Sequence, residues 1–551
     1  MALGRLSDRR GGGGSSRVAV ALAPRHRYYD QCNQVLGEAE FDHFVEMLCA
    51  PYYAAGAGRP SVPPGRYFRM LFVGQYEGLD SEREIAWRCA DSLSLHRFLM
   101  LREGEVVPDH STLSVTRSRL PLEVHQEVFT FILEIADKHG LVTGKRLGID
   151  ASTMEANAAL RKLVRRDNGE TYDQMLRRLA QASGLETPTK EDLIRFDRTR
   201  KDKTLSNQDW TSPTDADARI ARMKDGSTHL AYKPEHAVDL DTGIVVAAVI
   251  HPADQGDTTT LSGTLDAAAA ALEAVAKAPT KEAPAEAVTD KGYFSREGLK
   301  GLDDSPWKTR IAEPDRPGFN RWHGDDAARR AVYNNRARLR THCGKEALRL
   351  RAEKVERTFE HLLNQGGMRR VWLRGRDNLQ KRYSLQVAAY NLGMVLRQRF
   401  GAGTPRQAAA RLWLVYRESI LGIKAIQTSL VVLVVVAGRQ VTRAGDGAVR
   451  GVIMGVGHRN LGRWRRRPGT GKGLGTGGAE SKQVEQREEE HPDHVDEVPV
   501  ERRDVDRGEV AAGKVAAQGA LEDEVEEQRV GLVDLIEGLA LGLGTRPLGH
   551  R

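Results

Sequence analysis

Two short apolar runs, far apart in the chain, each end on an aspartate: Arg146-Leu147-Gly148-Ile149-Asp150 and Glu286-Ala287-Val288-Thr289-Asp290. No other feature limits the fold as much. Short apolar runs read as buried strands. An aspartate at the end of such a strand points its carboxylate out of the sheet, where a ligand can reach it. A third acid, Glu356, lies in a basic, helix-patterned stretch from Arg351 to Phe359. Two strand-end carboxylates and one helical carboxylate can together hold two Mg²⁺ ions, the equipment for cutting and joining phosphodiester bonds. Taken singly, each acid has a plainer role. A strand-end aspartate is commonly a turn or cap residue, and a glutamate on a basic helix is an i,i+4 ion-pair partner.

The segments around these acids supply an order of elements. Ala237-Val238-Asp239-Leu240 and Ile244 to Ile250 flank Asp241-Thr242-Gly243, which predicts a hairpin. Asp257 or Thr258 is the expected cap of an alanine-rich helix running to about Ala276. The strand ending at Asp290 follows, and later the helix bearing Glu356. Glu353 and Glu360 fall on the same side of that helix as Glu356. Strand, two hairpin partners, helix, strand and helix match a ribonuclease H-like fold. Asp150 then sits on the first strand and Asp290 on the fourth, which are neighbours in that fold. The polar, basic stretch over about 155–228 reads as an insertion after the first strand. The fold class is α+β or α/β: a helical N-terminal domain followed by a mixed-sheet domain.

Residues 28–141 read as that helical domain. Phe41, Phe44, Val45 and Leu48 recur at helical spacing, as do Tyr67, Met70, Leu71, Val73 and Tyr76. Asp109 or Ser111 is the expected cap of a basic helix carrying Arg117 and Arg119. Such a bundle either binds DNA or simply packs. Residues 1–27 read as a flexible leader, 142–400 as the mixed-sheet domain, and 401–551 as a low-complexity, disordered tail. Within that tail, Leu430 to Ala437 is too short an apolar run to cross a bilayer and reads as a buried strand or as part of an untidy tail.

The formal net charge of the 551 residues is +8. Basic residues concentrate between Arg336 and Arg382 and between Arg161 and Lys203, which suits a polyanionic partner or a solvated face. Cys32, Cys49, Cys89 and Cys343 form no CxxC pair. That argues against a zinc module or a disulfide framework and fits a reducing cytoplasm.

An ordered set of short motifs then carries a resemblance. They are Gly58-Arg59-Pro60-Ser61, Pro108-Asp109-His110-Ser111-Thr112, Gly148-Ile149-Asp150-Ala151-Ser152 and His229-Leu230-Ala231-Tyr232-Lys233. Ala253-Asp254-Gln255-Gly256-Asp257-Thr258, Thr289-Asp290-Lys291-Gly292-Tyr293, Val355-Glu356-Arg357-Thr358-Phe359 and Gly367-Met368-Arg369-Arg370 complete it. Over roughly residues 28–400 the chain resembles a bacterial insertion-sequence transposase of the DDE type. The resemblance implies that Asp150, Asp290 and Glu356 are catalytic and bind Mg²⁺ or Mn²⁺, as two ions. It implies that Lys233, Lys291, Arg357, Arg369, Arg370 and Arg374 contact DNA, with His229 facing it as well. The implied partners are double-stranded DNA, as terminal inverted repeats and target, and a second copy of the chain. No membrane and no small-molecule substrate are implied, and the setting is the bacterial cytoplasm at the nucleoid. One departure stands out. Relatives often place tyrosine, arginine and lysine around the last acid, and those places hold Arg349, Ala352 and Leu363 here, with Arg351 one position away. Glu353 and Glu360 therefore stay open as alternatives to Glu356.

Overall fold

Caps and turn residues start and stop the helices of the N-terminal third. The computed structural model describes residues 1–6, 25–54, 60–102, 104–201, 206–223, 226–315, 322 and 324–442. Its first helices are α1 (Arg27–Glu38), α2 (Phe41–Cys49), α3 (Pro64–Glu77), α4 (Glu82–Asp91), α5 (Leu93–Phe98), α6 (His110–Arg119) and α7 (Leu122–Lys138). Asp109 caps α6 as expected, accepting from the Thr112 amide at 2.7 Å. Pro64 occupies the first turn of α3, where its missing N–H costs nothing. Gly78 ends that helix at φ +72°, a left-handed conformation that suits glycine. Between these ends α3 is buried on every side from Pro64 to Tyr76, including Arg66 and Arg69. Arg69 pairs with buried Asp42. Arg117 of α6 is turned inward onto Glu82.

His125 on α7 is also buried. Its Nδ1 lies 2.9 Å from the Pro121 carbonyl, which can only accept, so Nδ1 carries the proton. Nε2 then accepts from the Tyr67 hydroxyl at 3.1 Å. Burial pushes this imidazole down to about 4, against the upward pull of the Pro121 hydrogen bond. The unfolded chain therefore takes up the proton first. The stability contributed by the neutral ring is complete above about pH 6.5 and is lost as pH falls toward 4. Urea midpoints should fall across that window. His125→Gln should flatten the slope by about 1.4 kcal/mol per pH unit, and an unchanged slope would count against the assignment.

The sheet region follows: β1 (Arg146–Ala151), β2 (Met154–Glu155), β3 (Val164–Arg165), α8 (Tyr172–Ala182), α9 (Lys190–Thr199), β4 (Trp210–Thr211), β5 (Arg219–Arg222), β6 (Thr228–Asp239), β7 (Val245–Pro252), α10 (Asp257–Ala274), β8 (Ala285–Thr289), α11 (Arg296–Asp303), β9 (Trp307–Ile311), α12 (Asp326–Arg340), α13 (His342–Phe359), α14 (Arg376–Phe400) and α15 (Pro405–Thr442). β6 runs antiparallel to both β7 and β1, β1 runs parallel to β8, and β8 parallel to β9. The order β7-β6-β1-β8-β9 is the one expected of a ribonuclease H-like sheet, with β1 and β8 adjacent. Side chains alternate across it. Leu147, Ile149 and Ala287 join a core shared with α10, α14 and the N-terminal helices. Val238, Leu240 and Val288 join a second core with Val355 and Phe359 of α13. The segment between β2 and β6 closes around Leu163, Met175, Leu176, Leu193 and Trp210.

Several expectations need correction. Met1–Leu6, read as part of a flexible leader, is pinned: Ala2 pairs with Ala54 and Pro60, and Leu6 is buried with its amide on Glu46. α10 has Gly256 at its N-cap and no side-chain cap, so neither Asp257 nor Thr258 plays that part. Leu430–Leu433, for which a buried strand was one of two readings, is helical and exposed within α15. Periodicity alone does not separate a short apolar strand from helix, and the helix begun at Pro405 simply runs on. No helix among the described residues is long and apolar enough to cross a membrane. The low-complexity stretches beyond residue 442 and the Gly11–Gly14 run lie outside the described residues.

Candidate active site

Gly148 lets α13 settle onto β1. A Cβ there would lie 2.6 Å from Leu240 Cδ2 and 3.0 Å from Val355 Cγ2. Gly148→Ala should therefore cost about 1–3 kcal/mol by overpacking, read from urea midpoints. A wild-type midpoint would show that α13 can shift to admit the methyl group. Asp150, two residues on, faces the same side. The β1–β8 register Leu147↔Ala287 and Gly148↔Val288, continued two residues, brings Asp150 level with Asp290.

The two aspartates do converge. Arg351 on α13 places Nη2 2.8 Å from Asp150 Oδ1 and 3.4 Å from Asp290 Oδ2. The two oxygens are thus no farther apart than those contacts laid end to end. Asp150 Oδ1 also accepts from the Ala151 amide at 2.8 Å. Asp290 Oδ1 accepts from the Gly292 amide at 2.8 Å and caps the short turn Lys291–Tyr293. Asp290 therefore has its plain capping role and a second, outward oxygen besides.

Glu356 is exposed on α13 and lines one cleft with Asp150, Ser152, Glu353, Glu360 and Arg369. Its two rivals are engaged locally. Glu353 sits 3.2 Å from Arg357 and 3.6 Å from Arg349, and Glu360 accepts from Asn364 and Gln365. Of the three, Glu356 alone has a side chain without an ion pair or hydrogen bond among the described residues. Among the described residues no group of three or more His, Cys, Asp or Glu side chains is gathered closely enough to hold a metal ion. What fits a hard divalent cation is the donor chemistry: two aspartate oxygens that face one guanidinium, with a third carboxylate on the cleft that Asp150 lines.

The basic residues divide. Lys291, Arg357, Arg369, Arg370 and Arg374 are all exposed. Arg369 is steadied by Ser152 Oγ at 3.2 Å, the Thr153 carbonyl at 3.0 Å and Asn364 Oδ1 at 3.0 Å. Arg370 pairs with Glu155 on β2 as a bridge and lies over the Trp372 ring. His229 is half-buried near Glu155. Lys233 departs from its expected DNA-facing role. It is buried, its Nζ 2.7 Å from Asp257 Oδ1 and 2.9 Å from Thr260 Oγ1, so its charge is spent inside.

Two residues hold positions that the sequence reading did not give them. Asp257, freed from capping, reaches the Asp290 turn: a Cβ on Gly292 would lie 2.7 Å from Asp257 Oδ2 and 3.1 Å from Asp290 Oδ1. Arg351 is the other. Its signal was a cation on the stripe Arg351, Val355, Phe359 that buries against the sheet. Beneath the site, Glu235 accepts from Tyr293 OH at 2.7 Å and from Thr260 and Thr264. Burial raises its carboxyl, but its hydrogen bonds with His251, Thr264, Tyr293 and Thr260 outweigh that and hold it below the usual range.

A family model described as Transposase domain (DUF772) matches residues 19–119, and one described as Transposase DDE domain matches residues 188–392. Asp290 and Glu356 fall inside the second match, and Asp150 precedes it. No curated protein and no solved structure matches the chain. The two models between them cover more than half of the residues, in the order helical segment then mixed sheet. On that footing the chain belongs to the insertion-sequence transposases of the DDE type.

Proposed function

We propose that the protein cuts DNA at the ends of its insertion sequence and joins the freed strands to target DNA, with Asp150, Asp290 and Glu356 as metal ligands. The observation that carries this reading is the convergence of Asp150 and Asp290, from adjacent parallel strands, on a single cation. When bound, a pair of Mg²⁺ or Mn²⁺ ions supplies activation of the attacking oxygen and stabilisation of the leaving 3′ oxygen. The protein's share is to hold anionic oxygens at fixed strand ends and to position the phosphates. Arg369, with three hydrogen bonds fixing its side chain beside the cleft, is the best placed of the basic residues for this. Lys291, Arg357, Arg370 and Arg374 surround it with exposed charge, which positions a duplex without reading its sequence. The segment 28–141 serves in DNA binding, and two copies hold the two ends at the nucleoid.

The test is cleavage and joining of a labelled duplex carrying the element's ends, by the full chain, with Mg²⁺, Mn²⁺ or EDTA. Metal-dependent nicks at the ends with joined products support the reading. Cutting without joining would make the protein a nuclease of the same fold. Binding without cutting would make it a DNA-binding remnant.

A further inference from the structure

Arg351 is set deep in the site, its side chain only 10 % exposed. Nε donates to the Ile149 carbonyl at 3.2 Å, while Nη2 faces Asp150 and Asp290 together. Gly148 keeps the path of the side chain open, since a Cβ there would lie 3.3 Å from Arg351 Cγ. A guanidinium so placed is costly unless carboxylates neutralise it. Two carboxylates drawn together from adjacent strands repel one another unless a cation stands between them. Each charge therefore answers the other's need.

We propose that Arg351 is the internal counter-cation of the Asp150–Asp290 pair and competes with divalent metal ions for it. The proposal rests on the reading of these aspartates as metal ligands. A hard divalent ion seeks the same carboxylate oxygens that Nη2 faces. Loading the site then requires the guanidinium to give up both contacts, and the affinity measured for metal is the intrinsic affinity reduced by that displacement. Nε and Nη2 share one edge of the guanidinium, so withdrawing Nη2 from the aspartates also disturbs the Nε bond to the Ile149 carbonyl. A guanidinium released beside the cleft is a bidentate phosphate ligand. Metal loading would thus present a positive group to the DNA backbone at the same place.

The experiment is calorimetric titration of Mn²⁺ into EDTA-stripped, full-length wild-type, Arg351→Gln, Arg351→Lys and Asp150→Asn proteins, with thermal melts alongside. Arg351→Gln should bind Mn²⁺ roughly tenfold more tightly than wild type. Its melting midpoint in EDTA should be lower, and Mn²⁺ should raise it by more than in wild type. Arg351→Lys keeps the charge and should bind no more tightly than wild type. Equal or weaker binding by Arg351→Gln, with binding lost in Asp150→Asn, overturns the counter-cation alone. Binding that Asp150→Asn leaves unchanged overturns the metal-ligand reading beneath it. An Arg351→Gln protein that folds only when Mn²⁺ is added supports the proposal, and one that stays unfolded with Mn²⁺ overturns it.

Discussion

Asp290→Asn is expected to slow cleavage of the element's ends by on the order of a thousandfold or more, with DNA affinity held or slightly raised. Asparagine has the shape of aspartate, and its amide oxygen can still accept from the Gly292 amide, as Asp290 Oδ1 does at 2.8 Å. The turn Lys291–Tyr293 should therefore survive, and the fold with it. What disappears is one negative charge at the strand end, and with it a hard anionic ligand. Removing that charge also lowers repulsion toward phosphates, so binding does not suffer. Single-turnover cleavage in Mn²⁺ and fluorescence anisotropy on the same duplex read the two effects separately. A cleavage rate near wild type would remove Asp290 from the catalytic set. Glu353→Gln is the useful control, since that glutamate is occupied by Arg357 and Arg349 and should cut normally.

The largest expected loss of stability lies far from the site. Asp42→Ala leaves the Arg69 guanidinium, buried at 0 % exposure, without its carboxylate partner. Asn33 Oδ1 at 3.0 Å and the Gly65 carbonyl at 3.1 Å remain, but neither carries charge. Stranding a buried ion in this way costs about 3–5 kcal/mol. That is a large fraction of a typical net stability of about 5–15 kcal/mol. The double variant Asp42→Leu with Arg69→Met should recover most of it, because an apolar pair of similar volume replaces the ion pair. Urea midpoints decide the matter: a loss under about 1 kcal/mol in the single variant would mean that water reaches Arg69.

Local patterns were legible where local physics decides. The hairpin around Asp241-Thr242-Gly243, the Asp109 cap and the apolar runs ending at Asp150 and Asp290 could all be read from neighbours a few residues away. The strand order followed from element order, because few topologies accommodate it. Apart from the run at Leu430, where local periodicity fits strand and helix alike, the misreadings involve partners distant in the chain. Lys233, Glu235, His236 and Asp239 are four polar residues buried within β6. No period of two announces them, because each is satisfied from elsewhere. Glu235 is met by Thr260, Thr264 and Tyr293, and Asp239 accepts from Thr143 and Gly144. His236 bonds Thr358 and Tyr383. Asp257 looked like a cap because capping is a local habit, and it was claimed instead by Lys233. Arg351 stands one place from the position where relatives carry arginine, and only the packing of α13 on β1 reveals that its guanidinium reaches both aspartates.

One apolar core runs from Tyr28 on α1 through Phe68 on α3 and Val128 on α7 to Ile149 on β1 and Leu392 on α14. The two matched segments of this transposase are therefore not exchangeable parts. A hybrid joined between α7 and β1 would graft half of one interior onto half of another, each moulded to a different neighbour. Such chimeras should be poorly soluble unless both halves of the interior come from one parent. New specificity in this family should be easier to obtain by altering surface side chains than by trading modules.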